Sequence, residues 1–297
     1  MQQPLAPHCS NYDSASGYAM WNCDQLQFPI LLSVPHAGRV YPAALFDDLR
    51  INPAHLLRLE DRYADRLARP AIDAGFPAII AECARVWIDL NRDEADLDPD
   101  MVHDWAGPRP QQGSPKMRGG LGLVPRRLAN AGEIWRRPFA KAEIDARIMN
   151  YHRPYHAQIE RILASMRQCF GVAMLVDLHS MPSLPIAAAQ QSKIVIGDRF
   201  GQCAAPIYAE LLTCRLRELG VPVALNNPYP GDYVLRRHGD PRRNIHALQI
   251  EVDRALYLDD LQHEPAPNLA NTAAIVAELL VLLCEQLSGS ALPLAAE

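Results

Sequence analysis

Two histidines stand where strand-like apolar runs end, and that placement points to metal chemistry. Ala173-Met174-Leu175-Val176 leads into Asp177-Leu178-His179-Ser180, and Ile30-Leu31-Leu32-Ser33-Val34-Pro35 leads into His36-Ala37-Gly38. Two such strands in one sheet would deliver two imidazoles to one edge. Asp177 lies two residues before His179, so on an extended segment both point to the same side. It can orient the imidazole as an outer carboxylate does for a metal-bound histidine. Ala37-Gly38 keeps the backbone near His36 uncluttered, as a tight turn beside a ligand needs. A purely structural histidine is the competing reading at either strand end.

A hydrolytic zinc site takes a third protein ligand and leaves one position open. The acids of Glu60-Asp61-Arg62-Tyr63-Ala64-Asp65 lie in the first turns of a helical pattern, with Asp61 and Asp65 on one face at i, i+4 spacing. One can bind metal while the other supports it. Equally, acids near a helix N-terminus favour the macrodipole, and Arg62 and Arg66 would make a solvated ion-pair face. In His246 to Arg254, alternation sets Gln249 and Glu251 opposite Leu248 and Ile250. A glutamate this deep in a strand needs a task or a partner. It is either a general base for the attacking water or half of an ion pair with an arginine such as Arg254. Val86-Trp87-Ile88-Asp89-Leu90 reads as a strand ending in Asn91-Arg92. An arginine fork with a neutral amide beside it would clamp a small carboxylate, unless Arg92 pairs with Asp93, Glu94 or Asp96. Two further stretches can line a pocket or merely cap and pack: Asn226 to Tyr233, followed by Arg236 and Arg237, and Arg153-Pro154-Tyr155-His156.

The elements that must position these residues follow from periodicity. Strands are expected at residues 29–34, 78–82, 86–90, 173–178, 193–197, 222–225 and 246–252, and helices at 56–73, 140–169, 204–219 and 268–286. Pro154 should kink or split the second helix. Strands alternating with helices predict an α/β fold: a single domain over 1–297, a mixed, mostly parallel sheet, and helices on both faces. The irregular stretch 92–138 is read as an active-site loop or lid, against a plain surface insertion.

Composition narrows the function classes. A net charge of -5 offers no bulk basic field for nucleic acid. No run has the roughly 20 apolar residues of a membrane span, and the stretch Ala273 to Cys284 is broken by Glu278. Met1 to Gln27 does not read as a secretory signal. Cys9, Cys23, Cys83, Cys169, Cys203, Cys214 and Cys284 contain no C-x-x-C pair, which excludes a zinc ribbon and predicts reduced thiols in a cytoplasmic protein.

The ordered set of segments resembles the N-formylglutamate amidohydrolase family. Its carriers are Val34-Pro35-His36-Ala37-Gly38, Asp61 to Leu67, Asp89-Leu90-Asn91-Arg92, Tyr151 to His156, Asp177-Leu178-His179-Ser180, Asn227-Pro228-Tyr229 and Ala247-Leu248-Gln249-Ile250-Glu251. That family is similar to zinc carboxypeptidases and aspartoacylase-type deacylases, which implies a zinc carboxypeptidase or phosphorylase/hydrolase-like fold. The resemblance implies one zinc ion on His36, Asp61 and His179, with Glu60 as reserve for Asp61, and Glu251 as base. It implies Asn91, Arg92, Arg237 and Arg254 as contacts for a small anionic N-acyl amino acid. The implied reaction is hydrolysis of N-formyl-L-glutamate to formate and L-glutamate, in the context of histidine catabolism. The rivals are deacylation of another N-acyl amino acid, carboxypeptidase-like cleavage, and a carboxylate-binding module without turnover. Three positions depart from the pattern: Arg39 stands where the relatives carry His-x-x-Glu, Asp93 where the family often has Pro, and Pro230-Gly231-Asp232 lacks a double glycine.

Overall fold

The computed structural model describes residues 17–108, 113–185, 192–261 and 263–290. In chain order its elements are β1 (Tyr18–Trp21), β2 (Ile30–Val34), α1 (Ala43–Asp48), α2 (Ala64–Asp73), β3 (Ala78–Ala81), α3 (Pro115–Arg118), β4 (Arg127–Leu128), β5 (Gly132–Glu133), α4 (Lys141–Arg147), α5 (Arg153–Phe170), β6 (Ala173–Met181), β7 (Ile194–Gly197), α6 (Pro206–Glu218), β8 (Val223–Leu225), α7 (Tyr233–His238), β9 (Ile245–Asp253) and α8 (Leu269–Ser290). Seven strands form one sheet in the order β1-β3-β2-β6-β9-β7-β8, and β4 with β5 makes a small separate hairpin. The pairings β2–β3, β2–β6, β6–β9 and β7–β8 are parallel; β1–β3 and β7–β9 are antiparallel. The α/β reading with a mixed, mostly parallel sheet therefore holds.

Alternation along the central strands sorts side chains onto two faces. Ile30, Leu32, Met174, Val176, Leu248 and Ile250 pack under α2, α6 and α8, while Leu31, Leu175 and Ala247 pack under α5. Both faces are covered, which is why β6 is buried along its whole length. On the α5 face the apolar sequence stops at Leu175 and Ala247. The next positions of that face are Asp177, His179, Gln249 and Glu251. The register pairs Asp177 with Gln249 and His179 with Glu251, so the polar residues collect at one end of the sheet.

Residues 86–90 do not form a strand, contrary to their alternating pattern. Val86, Ile88 and Leu90 are buried, but the place beside β3 is taken by β1, a four-residue strand that periodicity did not single out. Without a neighbouring strand, the carbonyls of this segment need other donors. Arg147 Nη1 donates to Trp87 O (3.2 Å), His156 Nε2 to Leu90 O (2.9 Å) and His152 Nε2 to Arg92 O (2.8 Å). The three donors come from one helical line whose π-helical turn, Ile148–His152, precedes Pro154. That turn is the split the proline predicts.

The expected helix over 56–73 is interrupted. A 3-10 turn covers Pro53–Arg58, Tyr63 adopts a left-handed conformation (φ 58°), and α2 begins at Ala64. Asp61 therefore precedes the helix and shares no helical face with Asp65. The stretch 92–138 is not structureless: it holds α3, the β4–β5 hairpin and short 3-10 turns, and buries Leu97, Met101, Leu123, Val124 and Trp135. α8 is long and apolar enough to cross a membrane. It nonetheless buries Val276, Leu279, Leu280, Leu283 and Leu287 in the core, and its Glu278 accepts from Arg215 of α6 (2.6 Å). Among the described residues the six cysteines are free thiols; Cys9 lies outside them.

The imidazoles that hold the 86–92 segment are acid-labile. His156 uses Nε2–H on Leu90 O, so its Nδ1 accepts from His238 Nε2 (2.9 Å). Burial pushes His238 down to about 3, and His156 well below the usual range. Both stay neutral in the fold while the unfolded chain takes up protons below about pH 6.5. Their contribution is whole above that pH and is lost as the pH falls toward 3, on the order of 1 kcal/mol per pH unit for each. His238→Gln keeps an N–H donor but does not titrate. In urea melts from pH 7.5 to 5, its stability should fall less steeply than that of the wild type. Parallel slopes would show that His238 is not held neutral.

Candidate metal centre

Three elements meet at the polar end of the sheet. β2 runs out through Pro35 into His36, where the chain passes so close to residues 82–83 that a Cβ on Gly38 would lie 2.0 Å from Cys83 O. β6 carries Asp177 and His179. The residues just before α2 bring Asp61, whose amide donates to His36 O (2.9 Å). A left-handed Tyr63 ends this tight link.

The two imidazoles are oriented alike. His36 Nε2 meets Asp89 Oδ1 at 2.7 Å, and His179 Nε2 meets Asp177 Oδ2 at 2.8 Å. A carboxylate can only accept, so each Nε2 carries the proton. Each Nδ1 is directed at the same atom, Asp61 Oδ2, at 3.6 Å from His36 and 3.0 Å from His179. One donor atom from each of His36, Asp61 and His179 lies within 4.8 Å of the others, and all three residues are buried. Asp61 also accepts from Ser180 N (3.2 Å) and from Arg254 Nη2 (3.1 Å). Behind Asp177, Ser33 Oγ donates to Oδ1 (2.7 Å), which leaves the Tyr155 hydroxyl to donate to Ser33 (3.0 Å).

Charge follows geometry. Burial opposes ionisation of Asp61, but the His179 and His36 rings facing it outweigh that and hold the carboxyl well below the usual range. Burial likewise opposes Asp89, but Arg85, with the His36 ring beside it, holds the carboxyl well below the usual range. Burial opposes a charge on His179, but Asp177, then Asp61, raise it well above the ordinary imidazole range; a cation at Nδ1 would take the place of the second ring proton. Two imidazole nitrogens and a carboxylate, each with its outer partner in place, make a donor set that fits a divalent cation.

The other expected residues divide. Glu251 sits beside His179 on β9 and accepts from Gln249 Nε2 (3.0 Å). Burial raises its carboxyl to about 7, with the negative charge of Asp61 adding and His179, Arg85 and Arg254 opposing. Arg254 bonds Asp61 and Ser180 rather than Glu251. Asn91 Oδ1 accepts from Val234 N (2.8 Å), and its Nδ2 lies 3.2 Å from His179 Nε2. Arg92 is buried, with Nε on Leu121 O (2.9 Å) and Nη1 on Asn91 O and Asp232 (3.0 Å). Arg237 is not gathered in: it donates to the Tyr233 hydroxyl (2.7 Å) and faces Glu160 of α5. Glu60 turns to the Tyr41 hydroxyl and to Arg62. Asp65 takes both arms of the Arg39 fork. Asp89 and Arg85 were missed as site residues. An acid inside the apolar run 86–90 raises the same burial question as Glu251, and that signal was available for Asp89. Nothing in the sequence marks Arg85, whose Nε donates to Asp89 Oδ2 (2.8 Å).

Fold and site define an α/β domain with a candidate divalent-metal centre at one end of its sheet. A family model described as N-formylglutamate amidohydrolase matches residues 28–258, and the chain belongs to that family. It is 29% identical over 244 residues to the N-formylglutamate deformylase of Pseudomonas putida, covering 80% of this chain and 85% of that one. It is 29% identical over 274 residues to that of Pseudomonas aeruginosa, covering 85% and 91%. The crystal structure of N-formylglutamate amidohydrolase from Ralstonia eutropha JMP134 aligns with a TM-score of 0.84 at 29% identity, covering 93% of this chain and 99% of that one.

If Asp89 fixes the His36 ring, Asp89→Asn should weaken Zn²⁺ binding about 10- to 100-fold, measured by competition with a chromophoric chelator. His179→Ala, which deletes a donor, should weaken it further. Unchanged affinity in Asp89→Asn would remove Asp89 from the centre.

Proposed function

We propose that this protein hydrolyses the formyl amide of N-formyl-L-glutamate to formate and L-glutamate, with one zinc ion held by His36, Asp61 and His179. The observation that carries this reading is the convergence of those three donors beside a buried Glu251, in a chain of this family. Bound there, the ion would supply Lewis acidity to the attacking water and the formyl carbonyl. Glu251, with a carboxyl near 7, suits a base that takes the water proton and passes it to the departing amine. Gln249 holds its Oε1 in place. Arg85 donates through Nε to Asp89, and its Nη atoms, with no hydrogen bond to a described residue, remain to meet negative charge developing on the formyl oxygen.

Arg92 is the cation we assign to a substrate carboxylate, because its Nη2 makes no hydrogen bond to a described residue while Nε and Nη1 anchor it. Asn91 supports it by tying α7 to the segment. Arg254 is better suited to holding Asp61 than to touching substrate, and Arg237 to bracing α7. Deacylation of another N-acyl amino acid would use the same machinery, and a substrate panel separates the two. A module that only binds carboxylates has no need of a base beside the metal ligands.

The purified protein should release formate from N-formyl-L-glutamate, lose that activity to a chelator and regain it with Zn²⁺. Glu251→Gln should keep the ion but lose on the order of 10²- to 10⁴-fold in rate. Near-normal turnover in that variant would overturn the base assignment, and chelator-resistant turnover the metal.

A further inference from the structure

An N-formylated acidic amino acid carries two carboxylates, and Arg92 offers free hydrogen-bonding capacity for one. Most other cations around the centre are engaged with acids: Arg254 with Asp61, Arg39 with Asp65, Arg85 through Nε with Asp89. Lys116 differs. It is exposed on α3, and its ammonium makes no hydrogen bond or ion pair to a described residue.

Its backbone is tied to Arg92 by two hydrogen bonds. Leu121 N donates to Lys116 O (2.8 Å), and Leu121 O accepts from Arg92 Nε (2.9 Å). From the other side, the ammonium lies 6.0 Å from the centroid of the Tyr229 ring. Three residues on in the same loop, Asp232 accepts from Arg92 Nη1 (3.0 Å). Lys116 and Arg92 therefore approach one loop from one wall, Arg92 buried and Lys116 toward solvent. Although the side chain reaches solvent, the protein around the ammonium partly desolvates it, and this, then the positive charges of Arg92 and Arg85, lowers its pKa, while Asp232 and Glu251 oppose them. Cations brought together with too few anions between them favour an anionic ligand.

We propose that Lys116 binds the distal, side-chain carboxylate of the substrate while the deeper Arg92 takes the α-carboxylate. Lys116 thereby sets the preference for acidic over neutral N-acyl amino acids. This rests on the amidohydrolase reading and adds to it the residue that selects the side chain.

The test uses zinc-loaded protein, wild type and Lys116→Met, which keeps the length and apolar stem but removes the charge. Two readouts are taken: glutarate binding by calorimetry, and kcat/KM for N-formyl-L-glutamate against N-formyl-L-glutamine. The substitution should weaken glutarate binding about 10- to 100-fold, the scale of one charge-assisted hydrogen bond. It should lower kcat/KM for the glutamate substrate by a similar factor through KM and leave the glutamine substrate unchanged. Lys116→Arg should restore most of the loss, which a merely structural role would not explain. Unchanged glutarate affinity and unchanged selectivity in Lys116→Met would overturn the proposal, as would wild-type protein that does not bind glutarate. Lys116-dependent glutarate binding without formate release would reject the hydrolase reading and leave this carboxylate site standing. Formate release with unaltered selectivity would do the reverse.

Discussion

The ionised carboxylate of Asp61 is the interaction on which the centre depends. It is buried, yet it stays charged because the Ser180 amide and the Arg254 guanidinium donate to it and two imidazole Nδ1 atoms face it, where a ring proton or a cation adds positive charge. The partners come from three parts of the chain: His36 after β2, His179 and Ser180 on β6, and Arg254 just after β9. A buried charge with such a shell is stable only while the shell is complete, because removing one partner strands the others at a cost of about 3–5 kcal/mol. The sheet order, which sets β2, β6 and β9 side by side, is thus the geometric condition for this charge to exist.

The second constraint is the segment 85–92, which brings Arg85, Asp89, Asn91 and Arg92 to the centre without being part of the sheet. Its carbonyls take side-chain donors from the line Arg147, His152 and His156. Arg147 is an unusual member: its guanidinium lies over the Trp87 ring (3.6 Å) and near the Phe139 ring (4.1 Å), with no acid among the described residues bonded to it. Burial pushes it down to about 10, so the cation rests on ring faces and one carbonyl. The stretch that follows the segment packs over it: Asp89 N donates to Leu123 O (2.8 Å) and Arg92 Nε to Leu121 O (2.9 Å). The described part of 92–138 is therefore packed into the core beside this segment.

Much of the site was legible one residue at a time. His36, His179 and Glu251 each sit at or in a strand that periodicity finds, and each is a polar residue where apolar burial is expected. Before Asn91 and Arg92 the apolar alternation marks burial and not pairing, so the two residues lie near the centre without a strand to carry them. Period 2 reports which side chains face the core; it does not report whether a neighbouring strand is available, and here β1 occupies that edge.

The α/β class, the strands that carry the imidazoles, and the polar residues set where apolar burial is expected can all be read from the chain alone, because local periodicity and burial chemistry are written in consecutive residues. That Asp61, and not Glu60 or Asp65, lies with the two histidines emerges only from the fold, since the three acids lie within six residues and differ in their partners: Tyr41 and Arg62 for Glu60, the two histidines for Asp61, Arg39 for Asp65. The fold likewise sent Arg254 to Asp61 and Arg237 to Tyr233, and brought in Asp89 and Arg85. The physical reason is the same in each case: a charged side chain is assigned by the nearest opposite charge in space, and nearness in space follows from sheet order and chain reversal, which no local pattern encodes.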